Sequence, residues 1–324
     1  MKLSYALAIC VIAGAALGRK HQHKIFLTGG TKSSAFVIRK FNTRSESVET
    51  DQRRLRDRRI GHLSAGIGSR LFVSAGHDSS LDDYKVSSSE ITDGGFVVYQ
   101  ADYPSQHTFL PAAAAVTRRL LFIRPRVYSC GGSDAADNAT AECHYWDYRR
   151  DKWSRIADSP VETSAAAMVY DRRRYLYLMG GFDVRGRISN RVQRFDIYRE
   201  QWKLLASLPV PQVGGAAVLR DGRLIACGSP KSLYGRKTDC QLYSSKEDSW
   251  TAGPSLLRTG FFPRLVRCGG ALYAVGGALS DDNTFNPVQL SIEVLSEQEL
   301  QWRVVHENGR QAWSVHGSVA CVRD

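Results

Sequence analysis

"YLYLMGGFDVRGRISNRVQRFDIYREQW" runs from Tyr175 to Trp202. A short apolar strand ends in a Gly pair, and an aromatic-Asp step and a Trp follow downstream. One such stretch says little, but recurrence at a period of roughly 20–50 residues marks a repeat architecture. The Gly pair or a remnant of it returns in "IFLTGG" (Gly29, Gly30), "LFVSAGH" (Gly76), "VYSCGG" (Gly131, Gly132), "LIACGS" (Gly228) and "LYAVGG" (Gly276, Gly277). Counted on the second position, which is Ser229 in "LIACGS", the intervals from Gly132 onward are 49, 48 and 48 residues. The chain is one unit written six times.

Two further markers keep step. Trp146 and Trp153, Phe195 and Trp202, Tyr243 and Trp250, and Leu295 and Trp302 are each seven residues apart. Phe41 and Val48 hold the same interval in the first repeat, and the second places Tyr99 and Gln106 there. A small-residue segment precedes the Gly pair, as in "LSAGI" (Leu63 to Ile67), "AAAAV" (Ala112 to Val116), "SAAAMV" (Ser164 to Val169) and "GGAAVL" (Gly214 to Leu219). Each unit therefore consists of four strands: a small-residue strand A, strand B ending in Gly-Gly, strand C ending in the aromatic, and strand D carrying Trp. Small residues suit innermost strands that crowd around a channel. Glycine allows backbone angles that a Cβ disfavours, and paired aromatics bury large apolar area between neighbouring units.

The order Gly-Gly, aromatic-Asp, Trp, in "MGG…RFDIYREQW" and "CGG…HYWDYRRDKW", resembles the kelch repeat. The resemblance covers nearly all of residues 19–324 and is strongest in repeats three to six. It implies an all-β fold, a six-bladed kelch-type β-propeller with four-stranded blades. Trp302 is followed by "AWSVHGSVACVRD", a strand A with nothing after it, whereas "KIFLTGG" is a strand B with nothing before it. The C-terminal strand is thus expected to complete the N-terminal blade and remove the open edges of the array. The expected blades are 24–55 plus 312–324, 56–110, 111–160, 161–210, 211–257 and 258–311, in one domain.

Residues 1–18 carry Lys2 and then an uncharged apolar run ending in small residues, which fits a cleaved secretory signal. The expected product is a secreted, extracellular monomer without a transmembrane segment. Cysteine positions agree with an oxidising compartment. Cys130 and Cys143 are 13 residues apart, as are Cys227 and Cys240, in the same repeat columns, and both are expected to form disulfides. Cys268 and Cys321 share a column at the end of strand A in neighbouring blades, where either a third bridge or two buried thiols is possible. "NAT" at Asn138 is a glycosylation acceptor in a B–C loop.

Propellers host many activities, so function has to be argued from sites. The formal charge is +12, and its placement is uneven. A–B hairpins carry Arg70, Arg118, Arg119, Arg172, Arg173, Arg174, Arg220, Arg223 and Arg267; C–D turns add Arg149, Arg150 and Arg199, with Arg44, Lys152 and Lys246. Both kinds of turn share one face, which should attract acidic or sulfated glycans or an acidic extracellular protein; the alternative is that charged tips serve solubility. The opposite face, built of D–A and B–C loops, presents Arg59, Thr163, Gln212, Arg258, Trp313 and His316 as candidate ligand contacts. Nothing points to specific nucleic-acid recognition. Among kelch-like propellers are secreted copper oxidases and sugar mutarotases, so a carbohydrate-active enzyme is the alternative class. Against it, the His residues are scattered, no metal-ligand spacing or nucleophile motif occurs, and neither a cofactor nor a catalytic residue can be assigned. The sequence favours a binding protein.

Overall fold

The computed structural model describes residues 23–29, 35–78, 84–104, 109–116, 125–134, 136–228, 238–278, 290–308 and 318–323. Residues 1–18, Arg118, Arg119, Trp313 and His316 lie outside them. Six four-stranded antiparallel sheets form the blades. From the axis outward, blade 1 comprises Ser318–Arg323, His23–Thr28, Val37–Asn42 and Ser47–Arg54. Blade 2 comprises Leu63–Ile67, Arg70–Ser74, Ser89–Asp93 and Phe96–Gln100. Blades 3 to 5 run Ala112–Val116 to Lys152–Arg155, Ala167–Tyr170 to Gln201–Leu204, and Gly215–Val218 to Ser249–Ala252. Blade 6 has longer strands, from Thr259–Cys268 to Gln301–Asn308. Each innermost strand touches the next, and the circle closes between Ser318–Arg323 and Leu63–Ile67.

The seven-residue markers are cross-strand partners. Phe41 faces Val48, Trp146 faces Trp153, Phe195 faces Trp202, Tyr243 faces Trp250 and Leu295 faces Trp302. Blade 2 departs from the expected marker. Its strand C is Ser89–Asp93, and Gly94-Gly95 turn the chain directly into strand D, so Tyr99 sits on the outer strand instead of ending strand C. The two turn glycines move this hairpin upstream.

Closure follows the expected topology. Ser318–Arg323 pairs antiparallel with His23–Thr28, with Ile25 opposite Cys321. Cys130–Cys143 and Cys227–Cys240 join strands B and C at directly opposed positions. Cys268–Cys321 is also bridged, with Cα atoms 5.3 Å apart, and it ties the closing strand to blade 6.

Three devices join one blade to the next. The indole N–H groups of Trp153, Trp202, Trp250 and Trp302 donate to the carbonyls of Ala101, Ala157, Ala206 and Pro254, each in the chain leaving the preceding blade. The Gly pair seats the chain entering the following blade: Gly132 N–H donates to Thr163 O and Gly181 N–H to Gln212 O, both at 2.8 Å. A Cβ on Gly131 would lie 2.2 Å from that Thr163 oxygen. Close approach, together with backbone angle, is what requires glycine here.

The third device is a buried polar residue on strand C, two positions before the aromatic marker. Gln193 accepts from Val161 N–H and donates to Val161 O, and Gln241 treats Val210 the same way. Glu293, fully buried, accepts the N–H groups of Leu257, Arg258 and Thr259. In each case the side chain holds the segment entering its own blade. Satisfying backbone donors in a dry seam avoids a penalty of about 1–3 kcal/mol for each unpaired group.

Candidate functional site

Antiparallel pairing brings the end of strand A, the start of B, the end of C and the start of D to one end of every blade, so the A–B hairpins and C–D turns share a face. Many of its arginines are matched by acids. Arg70 bonds Asp93 and the Tyr148 hydroxyl. Arg174 grips Asp196 through Nε and Nη2, at 2.8 and 2.5 Å. Arg223 meets Asp221 at 2.7 Å, and Arg267 meets Glu297 at 2.7 Å, with Arg220 3.7 Å from the same carboxylate. Burial works to raise the Asp196 pKa, but Arg174 and the N–H groups of Tyr198 and Arg199 outweigh it and hold the carboxyl below its usual range.

The remaining cations are distributed unevenly. Arg149, Arg150 and Lys152 on blade 3, and Arg173 and Arg199 on blade 4, are exposed and form no ion pair among the described residues. Arg44 and Lys246 stand singly on blades 1 and 5. Arg172 is exposed at the rim of the axial cavity. On the A–B and C–D turns of blades 3 and 4, the exposed acids among the described residues are Asp151, which accepts Ala101 N–H and the Trp146 indole N–H, and Glu200.

On the opposite face, three of the expected contacts turn inward. Arg59 is fully buried; it donates to the carbonyls of Ala75 and Ser88 and to Glu90, at 3.0, 2.8 and 2.5 Å. Such a guanidinium has no surface to offer a ligand, and removing it would strand the buried carboxylate of Glu90. Thr163 and Gln212 are buried because their carbonyls receive the Gly pair of the preceding blade, and Thr163 Oγ1 also donates to Gly180 O. Arg258 is exposed, 3.9 Å from Glu307. Asn138 is exposed on this face, with its backbone N–H donating to Asp134.

Two cavities follow the axis and meet at a waist of Ser64, Ala113, Met168, Ala216, Leu265 and Val319, one residue from each innermost strand. The wider, about 510 Å³, has Arg172 and Arg267 on its wall at the turn face. The narrower, about 90 Å³, lies beyond the waist and is lined by His62, Pro111, Arg264 and Ser318 among others. The small-residue rule of strand A conceals Arg264. The signal was present in "FFPRLVRC", where a charged residue interrupts an innermost strand. Among the described residues, no cluster of three or more His, Cys, Asp or Glu side chains could hold a metal ion.

Comparison with known families matches the kelch motif to residues 173–209, the stretch that contains the clearest Gly pair and Trp202. The chain carries a kelch repeat on a six-bladed propeller. The fold is similar to that in the solved structure of YjhT, which is 15% identical, with TM-score 0.63 over 87% of this chain and 94% of that one. At that identity the likeness concerns the fold alone. No functionally curated protein matches the sequence.

Proposed function

We propose that this kelch propeller is a secreted binding protein whose turn face captures polyanionic glycans through blades 3 and 4. The observation that carries the reading is the group Arg149, Arg150, Arg173 and Arg199, exposed and without ion pairs among the described residues, beside turns whose arginines are neutralised by Asp93, Asp196, Asp221 and Glu297. Guanidinium forks match sulfate and carboxylate oxygens two at a time. Partly solvated cations spread over adjacent turns suit a long ligand that touches several of them. Three disulfides support an oxidising, extracellular setting, and among the described residues no helix is long and apolar enough to cross a membrane. Kelch propellers include enzymes as well as binding proteins, and the unpaired arginines favour binding.

Chromatography on a sulfated-glycan column tests this reading. Reversing Arg149, Arg173 and Arg199 to Glu should lower the salt needed for elution well below that of a control carrying Arg155→Glu, Arg187→Glu and Arg303→Glu. Those control arginines are exposed but ion-paired to Asp158, Asp183 and Glu46. Equal losses in the two triple variants would mean that net charge, with no particular surface, governs retention. Stronger retention on polyglutamate than on the sulfated glycan would replace the glycan with an acidic protein as partner.

A further inference from the structure

Blade 4 puts an exposed aromatic ring among the unpaired arginines, and charge alone makes no use of it. Tyr198 lies in the C–D turn of that blade, next to Arg199, and is 52% exposed. Its surroundings are fixed. Asp196 accepts the backbone N–H groups of Tyr198 and Arg199 through one carboxylate oxygen and the Arg174 guanidinium through the other. In the neighbouring A–B hairpin, Asp171 accepts the N–H groups of Arg173, Arg174 and Tyr175. Both turns are therefore closed by their own carboxylates and joined to each other through Arg174, so little ordering is left to be done on binding.

Arg174 lies over the Tyr198 ring, 5.9 Å from its centroid, and over the Tyr175 ring at 5.4 Å, while Arg194 covers Tyr175 at 4.2 Å. Tyr175 thus carries two cations, whereas Tyr198 carries one and keeps half of its surface for solvent. Arg199 in the same turn and Arg173 on the hairpin are exposed and form no ion pair among the described residues; the exposed acid of this turn is Glu200. A group of solvated arginines attracts polyanions of many kinds. A tyrosine ring adds a flat apolar surface that is ordered at low entropic cost, and one class of polyanion presents a flat apolar surface in return. A pyranose with equatorial substituents carries axial C–H bonds on its two faces, while its carboxylate and sulfate groups project from the rim.

We infer that Tyr198 is a specificity-determining contact of the turn face: it stacks against an equatorially substituted sugar ring, such as β-linked glucuronate, whose acidic groups reach Arg173 and Arg199. The contact selects charged glycans over polyanions that have no rings. This rests on the polyanion reading of the same face and adds to it a requirement for the sugar itself.

Two probes separate the two requirements: chondroitin sulfate, which contains β-linked glucuronate, and poly(vinyl sulfate), which has no ring. In titrations of the disulfide-intact chain at constant ionic strength, Tyr198→Ser should weaken chondroitin sulfate binding about three- to tenfold, the loss expected for one stacked aromatic contact. It should leave poly(vinyl sulfate) unchanged, and Tyr198→Trp, which keeps a ring, should bind both probes as the parent does. Tyr99→Ser is the control. Tyr99 is 45% exposed and also lies under an arginine, Arg56 at 4.9 Å, but it sits on blade 2 with its hydroxyl bonded to Asp57, and its loss should change neither probe. Arg173→Glu with Arg199→Glu should weaken both probes. If that reversal weakens both while Tyr198→Ser weakens neither, or both by the same factor, the stacking contact is refuted and the polyanion reading stands. If the reversal changes neither probe, or the parent binds neither, the polyanion reading falls and the inference with it.

Discussion

The carbonyl oxygen of Gln212 occupies the space where a side chain on Gly180 would begin: an added Cβ would lie 2.3 Å from it. Gly186 has nearly the same backbone angle, φ +68° against +66°, but a Cβ there meets nothing within 4 Å. The pair separates backbone handedness from close approach. Gly186→Ala should cost about 1 kcal/mol, the strain of a left-handed residue, whereas Gly180→Ala should cost about 3 kcal/mol or more because backbone must move. Chemical denaturation reads both. Equal midpoints would show that φ alone dictates the glycine.

Closing the ring covalently has its own expected signature. Cys268→Ser with Cys321→Ser opens a loop with sequence separation 53, and should lower stability by about 4 kcal/mol in the chain-entropy picture. Cys227→Ser with Cys240→Ser, at separation 13, should cost about 3 kcal/mol. Deleting everything after Gly309 removes the closing strand as well, and should abolish a cooperative transition. A truncated chain that melts with the full one would contradict the closure.

Gln193 offers a test of the strand C clamp. Its amide satisfies both backbone groups of Val161, so Gln193→Leu should cost about 2 kcal/mol by leaving them without a protein partner. Gln193→Glu keeps an acceptor for Val161 N–H but loses the donor to Val161 O while buried. Such a carboxyl has a raised pKa when folded; the folded state then binds more protons, and stability falls as pH rises. That variant should therefore lie closer to the parent at pH 5 than at pH 8 in thermal denaturation.

His62 predicts an acid limb. Its folded pKa, about 3, lies below the ordinary 6.5. The unfolded chain therefore takes up the proton first, and stability falls as pH drops through that window, by at most about 1.4 kcal/mol per pH unit. Between pH 6 and 5 most carboxylates remain ionised in both states. Unfolding free energies of the parent should slope there, and those of His62→Gln should be flatter.

Repetition made much of the fold legible before any coordinates. The seven-residue aromatic spacing appears as paired positions such as Phe195 and Trp202, and the cysteine columns as bridges, because a repeated unit keeps each residue in the same local environment. Interactions between blades were harder to see. Glu297 meets Arg267 from the far side of a blade and reaches Arg220 across 77 residues of sequence, so the turn face looked more uniformly basic than it is. Thr163 and Gln212 read as loop residues because their burial depends on a neighbouring blade's glycines. The Gln193 and Glu293 column went unread, although its signal was present as a polar residue two places before the strand C marker.

Cys321 lies within a strand that is hydrogen-bonded to His23–Thr28 on one side and sulfur-bonded to blade 6 on the other. Hydrogen-bonded pairing alone would make the joint a clasp, able to unzip under load. With the bridge in place, tension carried along Ser318–Arg323 passes into the neighbouring blade through a covalent bond, and the propeller behaves mechanically as a hoop. A thiol reductant, more than a pulling force, would then set how easily the hoop is cut.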